Sequence, residues 1–209
     1  MQSMKYDIVV FDVDGTLWNA CPTTAKGVNR ALRELGMSRV LTTEEIEKIS
    51  GQPQDHAIKL LFGELPLNAE MLKALDDGER KAIEEEGGAF YEGVVEGFRE
   101  LSKHTQLFLV SNCQDWYLED FVRLAGLAEF LKGRNCYGLS HLSKHEMLED
   151  IVQRFNGKKA VYVGDTSGDQ KAAELAGIDF IGAAYGFGDV SNAKITFKTF
   201  PAITEFLLR

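Results

Sequence analysis

Several things are scarce or missing in this chain of 209 residues. It has three cysteines, Cys21, Cys113 and Cys136, odd in number and widely spaced. That argues against a disulfide framework and for free thiols in a reducing compartment. Its four histidines show no spacing that would build a zinc site. His141 and His145 sit four apart, but no cysteine or acidic partner completes a ligand set, and both are read as surface residues. No basic stretch is present, and 23 Lys and Arg against 32 Asp and Glu leave a formal charge of −9. Such a chain is poorly suited to neutralising a nucleic-acid backbone or anionic lipid, so neither nucleic acid nor membrane is expected as a partner. No apolar run approaches the roughly 20 residues that cross a bilayer. The first residues, Met1-Gln2-Ser3-Met4-Lys5, lack the charged-then-apolar layout of a secretory signal, and a cytoplasmic location is expected.

What remains is an ordinary globular composition, 44% hydrophobic and 26% charged, long enough for one large domain or a core with a small insertion. Short, nearly continuous apolar runs recur at Tyr6 to Phe11, Leu107 to Val110, Ala160 to Val163 and Phe180 to Ala183. Weaker strand candidates lie near Asn135 to Gly138 and Ile195 to Phe197. Stretches of helical periodicity separate the strong runs. This pattern predicts an α/β fold whose Rossmann-like parallel sheet is covered on both faces.

The long gap after the first strand breaks the alternation. It contains only helical patterns, at Thr24 to Leu35, Thr43 to Ile49, Gln54 to Phe62 and Ala69 to Glu86, and ends at the Gly87-Gly88 pair, where a hinge fits. The expected organisation is a core of residues 1–18 and 89–209 interrupted by a small α-helical domain at 19–88. Charge alternates through Glu79-Arg80-Lys81 and Glu84-Glu85-Glu86, and the acidic triplet reads as a solvated helix end.

The chemistry is expected at the strand ends. Ligands of open parallel sheets bind outside the carboxyl ends of the strands. There the first strand runs into Asp12-Val13-Asp14-Gly15-Thr16. Residues i and i+2 of an extended segment point the same way, so Asp12 and Asp14 can address one substrate. Gly15 lets the backbone turn and leaves amides facing an anion. The Ala160 strand ends in Gly164-Asp165-Thr166-Ser167-Gly168-Asp169, delivering two more carboxylates to the same edge. Like charges this close require a cation among them, and an all-oxygen ligand set favours Mg²⁺.

These segments resemble motifs I and IV of the haloacid dehalogenase superfamily of phosphohydrolases. Leu109-Val110-Ser111-Asn112 resembles motif II, and the helical insertion is similar to the C1-type cap of the phosphoglycolate-phosphatase-like group. Ala173-Glu174-Leu175-Ala176-Gly177 resembles the helix end that follows motif IV. Motif III departs from the usual pattern. Lys144, in Leu142-Ser143-Lys144-His145-Glu146, occupies the expected position without the usual proline, and Lys132, Lys158 and Lys159 fit it less well.

The resemblance implies an Mg²⁺-dependent phosphatase acting on a small-molecule phosphate ester. Asp12 would be the nucleophile and Asp14 the general acid and base, with Ser111 and Lys144 completing the catalytic set. Gly15, Thr16, Ser111, Asn112 and Lys144 would bind phosphate. Asp12, Asp165 and the backbone carbonyl of Asp14 would hold the metal, and Asp169 would orient its water or Lys144. Trp18, Asn19, Gln52 and Gln54 are the candidate specificity residues, the last two from the cap turn Ser50 to Gln54, and Tyr185 and Phe187 are further candidates for the entrance. Cys113, next to motif II, is a candidate oxidation-sensitive thiol. The retained Asp14 favours C–O–P chemistry. A phosphomutase of the β-phosphoglucomutase type and a non-catalytic binding protein on the same scaffold stay open, as does the oligomeric state.

Overall fold

The computed structural model describes residues 5–63, 65–155 and 158–209, so the reading of Met1 to Met4 lies outside the described residues. Six strands form one parallel sheet: β1 (Ile8–Phe11), β4 (Gln106–Ser111), β5 (Leu131–Cys136), β6 (Ala160–Gly164), β7 (Asp179–Ala183) and β8 (Thr196–Phe197), in the order β5-β4-β1-β6-β7-β8. Two short strands, β2 (Trp18–Asn19) and β3 (Ala89–Phe90), pair antiparallel outside it.

Among the described residues, ten α-helices accompany these strands. The first four, α1 (Cys21–Glu34), α2 (Thr43–Ile49), α3 (Gln54–Phe62) and α4 (Ala69–Glu86), all fall between β2 and β3. The others are α5 (Val94–Leu101), α6 (Asp115–Ala125), α7 (Tyr137–Ser140), α8 (Lys144–Arg154), α9 (Ser167–Leu175) and α10 (Phe200–Leu207).

Strand alternation divides the sheet core in two. Val9, Phe11, Leu107, Leu109, Val161 and Val163 point to the face covered by α5, α6 and α10. Ile8, Val10, Phe108, Val110 and Tyr162 point to the face covered by α8 and α9. Both faces are buried, which is why these strands read as continuous apolar runs. The helices α1 to α4 enclose a separate cluster that includes Val28, Leu32, Ile46, Phe62 and Leu75. Here α1 and α4 pack backbone to backbone: a Cβ on Gly27 would stand 2.4 Å from the carbonyl oxygen of Gly78.

The sequence boundaries of the inserted helices agree with the structure except at α1, which begins at Cys21 rather than Thr24. Asn19 Oδ1 accepts a hydrogen bond from Cys21 N at 2.9 Å, and Pro22 sits in the first turn, where its missing N–H costs nothing. The weak strand expected at Asn135 to Gly138 is displaced: β5 occupies Leu131–Cys136, and Tyr137–Ser140 is helical. Among the described residues, no helix is long and apolar enough to cross a membrane.

The register places the site. In the middle of the sheet, Phe11 pairs with Leu109 on one side and with Val163 on the other. The residues that follow, Asp12, Ser111 and Asp165, therefore emerge at one carboxyl edge.

Candidate active site

Asp12, Asp165 and Asp169 meet at that edge, with ligand atoms within 4.8 Å of one another. All three are buried. Lys144, the first residue of α8, reaches between two of them. Its Nζ donates to Asp12 Oδ1 at 2.8 Å and to Asp169 Oδ1 at 2.6 Å. Burial alone would discharge this lysine, but the two carboxylates hold its pKa above the ordinary value. Burial also pushes the Asp12 carboxyl well above the usual carboxylate range, against the pull of Lys144 and with the push of Asp169 and Asp165.

The oxygens of these acids are unequally committed. Asp169 Oδ1 accepts from Lys144 and from the Tyr162 hydroxyl at 3.4 Å, while Oδ2 accepts from Thr166 N at 3.0 Å and Thr166 Oγ1 at 2.7 Å. Asp165 Oδ2 accepts from the amides of Phe187 at 2.7 Å and Gly188 at 3.3 Å, and Oδ1 receives only a long bond from Thr16 Oγ1 at 3.4 Å. Burial, then Asp169, raises Asp165 to about 7 despite these amides. Asp12 Oδ2 has no donor among the described residues. One ammonium thus faces three carboxylates, and Asp12 Oδ2 and Asp165 Oδ1 are the least satisfied oxygens. A hard divalent cation fits this donor set. The backbone is shaped around the same carboxylate: a Cβ on Gly15, whose φ is +74°, would lie 2.2 Å from Asp165 Oδ2, and one on Gly186 would lie 2.3 Å from Asp165 Cβ.

Asp14 stands apart from this group. Its Oδ1 accepts from the Tyr117 hydroxyl at 2.5 Å, and its side chain lines a cavity of about 120 Å³ between the sheet edge and the inserted helices. Burial raises Asp14 to about 6, although the Tyr117 bond favours the charged form. The Trp18 indole N–H acts in the same direction without meeting an acceptor at full hydrogen-bonding geometry. Ser111, Asn112, Gln52 and Gln54 also line the cavity. Ser111 Oγ accepts from Cys113 N at 3.2 Å, which leaves its own O–H to donate. Asn112 Nδ2 donates to Gly51 O at 2.7 Å, and Gln114 Nε2 donates to Gln54 Oε1 at 2.9 Å. The turn from Ser50 to Gln54 is thereby tied to the sheet edge.

This construction has relatives. Residues 9–183 match the family of haloacid dehalogenase-like hydrolases. The chain belongs to that family. Curated relatives of this hydrolase include the phosphoglycolate phosphatase of Photobacterium profundum, 25% identical with 94% of this chain and 93% of the relative covered. That of Colwellia psychrerythraea is 26% identical, with 90% and 88% covered. Among solved structures, a predicted phosphoglycolate phosphatase from Haemophilus somnus superposes with a TM-score of 0.83 at 20% identity, covering 96% of this chain and 97% of that one. A haloacid dehalogenase-like hydrolase from Streptococcus pneumoniae gives 0.76 at 18%, covering 96% and 98%. At such identities the superpositions show the fold alone.

Some expected site residues of the hydrolase lie elsewhere. Gly15 and Thr16 were expected to offer phosphate-binding groups, but Gly15 N donates to Trp18 O at 3.0 Å and Thr16 N to Val13 O at 3.2 Å. The tight turn consumes both amides, and the Thr16 hydroxyl turns to Asp165. The amides of Asp14 and Asn112 have no acceptor among the described residues. Trp18 is fully buried against Tyr117 and Phe121, while Asn19 Oδ1 accepts from Cys21 N at the start of α1. Neither side chain lines the cavity beside Asp14. Tyr185 donates its hydroxyl to Thr16 O at 2.7 Å and braces the turn, the Phe187 amide donates to Asp165 Oδ2, and neither residue lines the cavity. His141 and His145 share no helix face, because His141 follows α7 with φ +55° while His145 lies in the first turn of α8. Burial holds the Cys113 thiol above its ordinary pKa, which counts against an easily oxidised thiolate.

Three contributors had escaped the sequence reading. Tyr117 is one of several aromatics on α6 and carries no motif signal. Tyr162 looks like any core strand residue. Glu79, one of several alternating charges on its helix, lines the cavity and accepts from Thr24 Oγ1 at 2.9 Å.

Replacing Lys144 by Met would keep the volume and leave Asp12 and Asp169 buried without their cation. Such a loss costs about 3–5 kcal/mol. Urea denaturation of Lys144→Met at pH 7.5 should show that destabilisation; a change below about 1 kcal/mol would mean that the pairing has little energetic weight.

Proposed function

We propose that the protein is an Mg²⁺-dependent phosphatase of small-molecule phosphate monoesters that works through an aspartyl-phosphate on Asp12. The supporting observation is the division of labour between its two motif-I acids. Asp12 is held by Lys144 beside the acid cluster, whereas Asp14 lines the cavity, accepts from the Tyr117 hydroxyl and has its pKa raised to about 6. A carboxylate anchored on a cation suits a nucleophile, and one that faces the cavity and is protonated in mildly acidic solution suits a general acid.

In this reading an Asp12 carboxylate oxygen attacks phosphorus as the ester oxygen departs, and Asp14 gives that oxygen its proton. Asp14 then takes a proton from the water that attacks the aspartyl-phosphate, releasing inorganic phosphate and restoring Asp12. The Ser111 hydroxyl, the amides of Asp14 and Asn112, and the Lys144 ammonium would meet the phosphoryl oxygens. Mg²⁺, held by Asp12 and Asp165 and the Asp14 carbonyl, with Asp169 positioning Lys144, would supply further positive charge there. Residues 19–88 would act as a cap that excludes bulk water over a core of 1–18 and 89–209. The free thiols Cys21, Cys113 and Cys136 suit a reducing cytoplasm.

The phosphomutase reading fares less well. A mutase must hold a second phosphoryl group, and no Lys, Arg or His lines the cavity. The non-catalytic reading leaves the Lys144-bridged acids and the poised Asp14 without a purpose.

The purified protein should hydrolyse p-nitrophenyl phosphate with Mg²⁺, and lose that activity in excess EDTA and in Asp12→Asn; full activity in either would refute the assignment. The pH profile tests Asp14 separately. A general acid must be protonated, so kcat/KM should fall as pH rises through about 6. Tyr117 favours the ionised form, so in Tyr117→Phe this limb should move to higher pH. A limb that stays or moves down would rule out Asp14 as the acid.

A further inference from the structure

If Asp14 protonates the leaving oxygen, whatever that oxygen carries must occupy the cavity beyond Asp14. That space runs from Ser111 and Asn112 past Gln54 to Glu79. Its about 120 Å³ leaves room for a short leaving group.

The lining has a definite chemical character. Ile46, Ile49 and Ala57 form an apolar wall, and Gln52, Gln54 and Gln114 contribute neutral amides. The charged side chains in it are Asp14 and Glu79, both acids. Arg80, the next residue along α4, lies outside over the Trp116 ring, 5.9 Å from its centroid. Behind Gln54, Asp76 accepts from Gln54 Nε2 at 3.4 Å and from Trp116 Nε1 at 3.2 Å, adding a third acid to the same side. Glu79 Oε1 accepts from Thr24, and its other oxygen has no donor among the described residues. A carboxylate carried into this space would face acids with no cation to receive it. Like charges placed together in a binding site cost affinity and set specificity by exclusion.

Resting on the phosphatase reading above, we propose that the leaving group is a short alcohol bearing a protonated amine. Glu79 receives the ammonium, the isoleucine wall packs its methylenes, and esters of hydroxy acids such as 2-phosphoglycolate are disfavoured. An ammonium supplies the charge that the cavity lacks. It also suits Glu79 itself, which burial raises to about 7 while nothing cationic holds it ionised.

The test compares kcat/KM of the Mg²⁺-loaded enzyme for three esters of matched size, phosphoethanolamine, 2-hydroxyethyl phosphate and 2-phosphoglycolate, with p-nitrophenyl phosphate alongside. The amine ester should lead, exceeding 2-phosphoglycolate by about tenfold or more. Glu79→Gln should shrink that ratio, and Glu79→Lys should turn it towards 2-phosphoglycolate. Thermal unfolding checks that both variants fold, and Glu79→Gln decides alone if the lysine variant does not. Turnover in which 2-phosphoglycolate or the neutral ester matches or beats the amine ester overturns the proposal and leaves the phosphatase reading intact. A ratio unchanged in Glu79→Gln also overturns it. No phosphate release from any of the four esters overturns both.

Discussion

The rest of the site depends on one buried cation. Lys144 lies between Asp12 and Asp169, and these residues come from three different segments: the end of β1, the start of α8 and the first turn of α9. Ionised groups this deeply buried cost several kcal/mol each unless their charge is met at close range. The bridge therefore does two things together. It makes the convergence of three strand and helix ends tolerable, and it holds Asp12 in place, as the proposed attack on phosphorus requires. It also leaves an imbalance, since Asp165 has backbone amides and a distant hydroxyl as partners and no cation of its own. The proposed divalent-metal dependence rests on that imbalance.

Around this centre the backbone works as much as the side chains. Both amides of the Gly15-Thr16 turn are spent on closing it, and the bare Cα atoms of Gly15 and Gly186 make room for the Asp165 carboxyl. Rigid elements thus carry the charged groups, while α1 to α4 roof the opposite side. The hydrogen bonds from Asn112 to Gly51 and from Gln114 to Gln54 couple that roof to the segment bearing Ser111. In the proposed reaction, substrate enclosure and phosphate binding would be linked through adjacent residues of one loop.

How much of this could be read beforehand follows from burial. β1, β4, β6 and β7 were visible because both of their faces are covered. β5 was misplaced because, at the sheet edge, Lys132, Gly133, Arg134 and Asn135 alternate between exposed and half-buried and give no apolar run. The paired aspartates stood out because each follows a strand end, and Lys144 because its position between two strands is constrained. Glu79 and Tyr117 were illegible. A glutamate within a charged helix and a tyrosine within an aromatic one look alike whether they face water or a cavity. Only the packing of α4 over α6 decides that, and local periodicity does not encode it.

The central claim is that uncompensated buried acid at the sheet edge calls for a divalent cation. The most direct measurement is the Tm of wild type and of Asp165→Asn against Mg²⁺ concentration at pH 7.5, above the value of about 7 for Asp165. Wild type should gain stability steadily with Mg²⁺, by about 2.7 kcal/mol once the ion exceeds its Kd a hundredfold. The variant should start more stable in the absence of metal and respond little. A wild type indifferent to Mg²⁺, or a variant with an undiminished response, would contradict the account.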